Sequence, residues 1–130
     1  VFLSAAEATI TELPSKPQPD TRSRKLVVDF YKLLARHCKQ HRDVTFYADA
    51  LCITTTYLYK VCRKVLGFSP KEEIDQQIVF EIKSSLAHPA LPIKRIAEEL
   101  HFEDTSYMCR YFRRLTGISP ADYRNEQTRL

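Results

Sequence analysis

The sequence predicts an all-α protein: two helix-turn-helix units joined by a long linker helix, about seven helices in total. Three observations carry that expectation. A pattern of helix, tight turn, helix and Gly-x-Ser-Pro occurs twice, about 50 residues apart, so that Tyr57, Arg63, Gly67, Ser69 and Pro70 recur as Tyr107, Arg113, Gly117, Ser119 and Pro120. Apolar residues fall at the 3.6-residue spacing of helices with one buried face. With 2 glycines, 7 prolines and no Asn-Gly or Asp-Gly pair, the chain lacks the hairpin signals of a β protein.

The elements follow in order. Residues 1–22 differ from the rest: Val1 to Leu13 is mildly apolar, and Pro14 to Asp20 carries three prolines in a stiff polar stretch. They read as the tail and linker of a missing N-terminal domain, as does a start at Val1 rather than Met. From Ser23, a suitable N-cap, Val27, Phe30, Tyr31, Leu34 and Cys38 form one apolar stripe that His41-Arg42-Asp43 ends. The first unit, about 44–66, has a short helix from Thr45 to Leu51 with Tyr47, Ala48 and Leu51 inward. Its second helix is capped by Thr54 or Thr55 and stopped by Gly67 in the left-handed conformation. Ser69-Pro70-Lys71-Glu72 then combines an N-cap, a proline at the first helical position and a capping box. The linker helix that it starts runs to about Ala87, with Ile74, Ile78, Val79, Ile82 and Leu86 on one face. His88-Pro-Ala-Leu-Pro92 breaks it. The second unit, about 93–116, has helices at about 93–100 and 104–116, then Gly117 and a short last helix started by Ser119-Pro-Ala-Asp122. Residues 126–130 read as a polar tail.

Composition narrows the function. An apolar content of 44% supports a packed core rather than a disordered chain, and 130 residues fit one domain or two very small ones. A net charge of +4 is too small to identify a nucleic-acid binder by itself, but basic pairs stand at matching repeat positions, Arg63-Lys64 and Arg113-Arg114. Cys38, Cys52, Cys62 and Cys109 make no Cys-x-x-Cys pair and lie near no paired histidines, which removes zinc-ligand spacing and a disulfide framework; reduced thiols in a cytoplasm are expected. No run of 18 apolar residues is available to span a membrane. No Ser-His-Asp set, Gly-rich phosphate loop or metal cluster is visible, so neither an enzyme nor a cofactor is expected. His37, His41, His88 and His101 are scattered at helix ends and turns.

The second helix of a helix-turn-helix enters the DNA major groove, so it must be apolar on one side and polar and basic on the other. Residues 54–66 meet this test: Leu58, Val61, Cys62 and Val65 share one face, and Thr56, Tyr59, Lys60 and Arg63 lie roughly opposite. In the second unit Met108, Tyr111, Phe112 and Leu115 face inward, and Ser106, Cys109, Arg110 and Arg113 face out. Those eight outward residues are the base-reading candidates. Arg110 suits bidentate contact with guanine O6 and N7, and Lys60 is its counterpart without the planar fork. Thr55 and Thr105 at the helix starts, with Lys64 and Arg114 at the edges of the outward faces, suit phosphates. A lowered thiol pKa at Cys109, beside Arg110, would suit redox sensing.

These residues resemble the DNA-binding domain of the AraC/XylS family of bacterial transcription regulators, over about Arg24 to Arg124. The most specific segment is Ile96 to Arg124, with Ile96-Ala97, Leu100-x-Phe102, Ser106-Tyr107, Arg110-x-Phe112-Arg113-Arg114, Thr116-Gly117, Ser119-Pro120 and Tyr123-Arg124. The resemblance implies two recognition helices in successive major-groove segments on one face of double-stranded DNA, and transcription regulation. It also implies an N-terminal effector-binding or dimerisation domain, often a small β barrel, through which a small-molecule effector acts. Contact with RNA polymerase is common in such activators. Departures from the pattern are Cys62, where a core phenylalanine is usual, which predicts a looser first core, and Cys52 and His101 in turns where glycine suits a positive φ. The alternative is a helical protein-docking module, for example to RNA polymerase, with DNA contact secondary. Such a face should carry large exposed apolar residues, whereas these carry Thr, Ser, Lys and Arg, with Tyr59 the exception.

Overall fold

Local side-chain chemistry sets most helix ends in the computed structural model, which describes residues 21–129. Seven helices lie among the described residues: α1 (Thr21–His37), α2 (Val44–Ala50), α3 (Thr55–Leu66), α4 (Pro70–Leu86), α5 (Ile93–Glu99), α6 (Thr105–Thr116) and α7 (Pro120–Arg129). The expected linker and domain tail at residues 1–20 lie outside the described residues. Thr21 and Arg22 already belong to α1, and Ser23 is not a cap but an inward-facing helical residue, 6% exposed.

Asp43 starts α2 by accepting from the Phe46 amide at 3.2 Å, Thr54 rather than Thr55 starts α3 by accepting from Tyr57 at 3.0 Å, and Asp104 starts α6 by accepting from Tyr107 at 2.7 Å. The expected capping box of α4 is present: Ser69 Oγ accepts from the Glu72 amide at 3.1 Å, and Glu72 accepts from the Ser69 amide at 2.8 Å. Hydrogen bonding from the Ser69 backbone amide, and secondarily from the Ser69 side chain, holds the Glu72 carboxyl below the usual carboxylate range. Gly67 and Gly117 stop both recognition helices at φ 82° and 85°. Cys52 and His101 hold φ 60° and 59° in the turns despite the steric cost of a side chain there. The turn is residues 51–54 in the first unit and 100–104 in the second, one residue longer. The last helix is longer than expected, carrying residues 126–129 as helix.

The units share one core. The expected inner face of α4, from Ile74 to Leu86, is buried, with Phe30, Leu34, Tyr47, Leu58 and Cys62 from the first unit and Ile96, Leu100, Met108 and Phe112 from the second in the same cluster. Cys62 is 0% exposed; in the first unit the Phe30 and Tyr47 rings meet edge-on at 5.6 Å, and in the second unit the Phe112 and Tyr123 rings do so at 5.8 Å. Burial pushes the Cys62 thiol up to about 11. Four expected core residues lie farther out. Tyr31 is 40% exposed and its hydroxyl donates to Glu73 at 2.7 Å, Leu51 and Val65 are half-buried, and Leu115 in the last turn of α6 is 36% exposed. No described helix is long and apolar enough to cross a membrane, and no group of three metal-ligating side chains occurs among the described residues.

Candidate nucleic-acid interface

The recognition helices α3 and α6 have the same length, 12 residues, and neither contains an acidic side chain. Each is therefore about 18 Å long, enough to lie along a major groove. In α3, Leu58, Val61 and Cys62 turn inward while Thr56, Lys60, Arg63 and Lys64 are exposed. In α6, Met108, Tyr111 and Phe112 turn inward while Ser106, Arg110, Arg113 and Arg114 are exposed. The two faces thus repeat at an offset of 50 residues, with three cations each.

Four candidates sit less openly. Thr55 and Thr105, in the first turn of each helix, are half-buried, and so are Tyr59 and Cys109 at matching repeat positions. The Arg63 guanidinium lies 5.9 Å from the Tyr59 ring centroid, and Arg114 lies 5.4 Å from that of Tyr111. Tyr59 is therefore a partly covered platform under a cation rather than a free outward ring. The expectation of a lowered thiol pKa at Cys109 is corrected: burial raises it, because desolvation disfavours the thiolate and neighbouring Arg110 projects into solvent. A thiol kept protonated is a poor redox sensor.

The N-termini of the two recognition helices differ. The neutral Thr54 hydroxyl caps α3, whereas the Asp104 carboxylate caps α6. The α3 start keeps its partial positive charge for an anion, and the α6 start has part of it already neutralised.

Several residues around the recognition helices make placements or contacts that the sequence pattern does not specify. Tyr57 and Tyr107 are exposed at equivalent first-turn positions, and their recurrence in the repeat was the available signal. Tyr111 ties α6 to the linker helix, its hydroxyl donating to Asp75 at 2.5 Å, while Lys71 donates to the same carboxylate oxygen at 2.9 Å. Arg124 donates to the carbonyls of Leu86 and His88 at 3.1 Å each, closing the C-terminal end of α4. Arg42 reaches the other unit, donating to the Leu100 carbonyl at 2.8 Å and to that of His101 at 3.3 Å.

A family model described as a helix-turn-helix domain matches residues 47–126. The arabinose operon regulatory protein of Salmonella typhimurium is 28% identical over 109 residues, which cover 83% of this chain and 37% of that protein. The chain thus spans little more than a third of the length of that relative. Two solved structures share the fold. The C-terminal domain of AraT, a response regulator from Geobacillus stearothermophilus, has a TM-score of 0.70 at 24% identity, covering 78% of this chain and 84% of that one. The DNA-binding domain of AdpA, a global transcriptional factor in complex with a target DNA, has a TM-score of 0.67 at 21% identity, covering 76% and 89%.

Proposed function

The chain belongs to the AraC-type helix-turn-helix family, and from that premise we propose that it binds double-stranded DNA sequence-specifically and regulates transcription. One observation carries the reading: two equal, acid-free basic helices present faces that repeat at a fixed offset and share one core. On this reading α3 and α6 enter successive major-groove segments. Arg110 makes the strongest base contact, a bidentate pair to guanine, with Lys60 in the equivalent place. Thr56, Arg63, Ser106 and Arg113 complete the base-reading set. Tyr59 and Cys109 offer half-covered apolar edges that suit a thymine methyl. Lys64 and Arg114 hold phosphates from the helix flanks. Thr55 does so from the neutrally capped start of α3 and Thr105, beside Asp104, more weakly.

We read the chain as cytoplasmic and non-enzymatic. RNA polymerase is a partner on this reading, and a small-molecule effector acts through an N-terminal domain outside this chain. The protein-docking alternative draws no support from the recognition faces, whose exposed residues are mostly hydroxyl-bearing or cationic. Selection of bound duplexes from a random pool tests the proposal. An enriched site is expected; binding without enrichment that disappears by physiological salt would refute sequence-specific recognition.

A further inference from the structure

Apart from marginal contacts, the helices of the first unit do not pack on those of the second among the described residues. α1, α2 and α3 pack against α4 from their side, and α5, α6 and α7 pack against it from theirs. A single helix as shared support fixes the distance between two bodies better than it fixes their rotation about its axis. An open cleft of about 550 Å³ lies between the units, lined by Gln40, Arg42, Asp43 and Val44 from the first, Lys71 from the linker helix, and Tyr107 and Tyr111 from the second.

Arg42 spans the gap. Its guanidinium donates to the Leu100 and His101 carbonyls at the C-terminal end of α5, and its central carbon lies 4.1 Å from the Phe102 ring centroid. Two donors and one flat face define an orientation, which a lysine ammonium does not. Both ends of the bridge are firm. On the first unit, Tyr47, itself fully buried, donates to the His41 carbonyl at 2.8 Å, and Asp43 caps α2. On the second, residues 100–102 form the turn that leads into α6.

We propose that Arg42 is a positioning residue that sets the angle between the two recognition helices, and so the number of base pairs between the two blocks of sequence that the chain reads. The inference rests on the reading of both units as base-reading. Arg42 itself touches no base; it acts through the placement of α3 relative to α6.

The test compares binding of the full chain to its selected duplex with binding to duplexes that have one base pair added or removed between the blocks. Each change rotates one block against the other by roughly 35°. The wild-type chain should discriminate sharply against both altered spacings. Arg42→Ala should narrow that discrimination about tenfold, the scale of one charge-assisted hydrogen bond, without altering either block's sequence or binding to random DNA. Arg42→Lys should fall between the two and serves as the test if Arg42→Ala does not fold. Wild-type discrimination retained in the variant that folds overturns the inference while leaving the two-unit reading intact. A wild-type chain that selects only one block refutes both.

Discussion

Replacing Tyr111 with Phe isolates the contact that holds the second recognition helix to the linker. Tyr111 is 5% exposed, and its hydroxyl donates to the Asp75 carboxylate at 2.5 Å. The substitution keeps the ring, and with it the packing against Phe102 at 5.4 Å between centroids. Only the hydrogen bond is lost, and Asp75 keeps Lys71 at 2.9 Å, so no buried charge is left uncompensated. A hydrogen bond to a charged group contributes about 1.5–3 kcal/mol. The retained lysine puts the expected loss near the middle, about 2 kcal/mol, or a fall in Tm of roughly 7 °C for a domain of this size. The chain contains no tryptophan, so urea unfolding is followed by circular dichroism. The midpoint should move to lower urea with an unchanged slope, because the surface exposed on unfolding is the same. A loss below about 0.5 kcal/mol would show that water serves Asp75 as well as Tyr111 does, and would refute the anchoring role.

Three further outcomes follow from the site and the core. Arg110→Ala should cost about 1–3 kcal/mol on the selected site and relax preference at one base pair; equal losses on selected and random duplexes, measured by fluorescence anisotropy, would show that Arg110 contacts phosphate instead. Lys64→Ala should weaken binding to all sequences alike and flatten the plot of log affinity against log salt by about one unit, and an unchanged slope would remove Lys64 from the phosphate contacts. Stability should fall in alkali: the Cys62 thiol, raised by burial to about 11, keeps its proton in the folded state after the unfolded chain releases it near pH 8.5. Its contribution is full below that pH and is lost as pH rises towards 11. Burial also raises Tyr31, Tyr47 and Tyr111 above the usual tyrosine range, which extends the loss beyond about pH 10. Urea midpoints that stay level from pH 8 to 11 would contradict this.

What could be read from the sequence is what local chemistry decides. Ser69-Pro70-x-Glu72 marks the start of α4 because cap, proline and acid act within one turn, and Gly67 and Gly117 mark helix ends because few other residues hold a positive φ cheaply. The phases of α3 and α6 are legible from apolar spacing, so the exposed Lys60, Arg63, Arg110 and Arg113 were identifiable in advance. Ser23 misleads because a capping residue type also fits an inward helical position beside a core. Leu115 and Tyr31 mislead because periodicity gives direction but not how far the core extends. Arg42 with the Leu100 carbonyl, and Asp75 with Tyr111, are 58 and 36 residues apart. No spacing rule links such pairs, and only the folded chain brings them together. The half-burial of Tyr59 and Cys109 depends likewise on neighbouring elements, which is why the thiol is raised rather than lowered.

Two recognition helices in two major-groove segments is the central claim, and methylation interference on the selected duplex tests it most directly. Methylating guanine N7 places a group in the major groove, where Arg110 and Lys60 are assigned. Interference at guanines in two blocks about one helical turn apart, on one face of the duplex, is the expected result. Interference confined to one block, or produced only by minor-groove methylation at adenine N3, would contradict it.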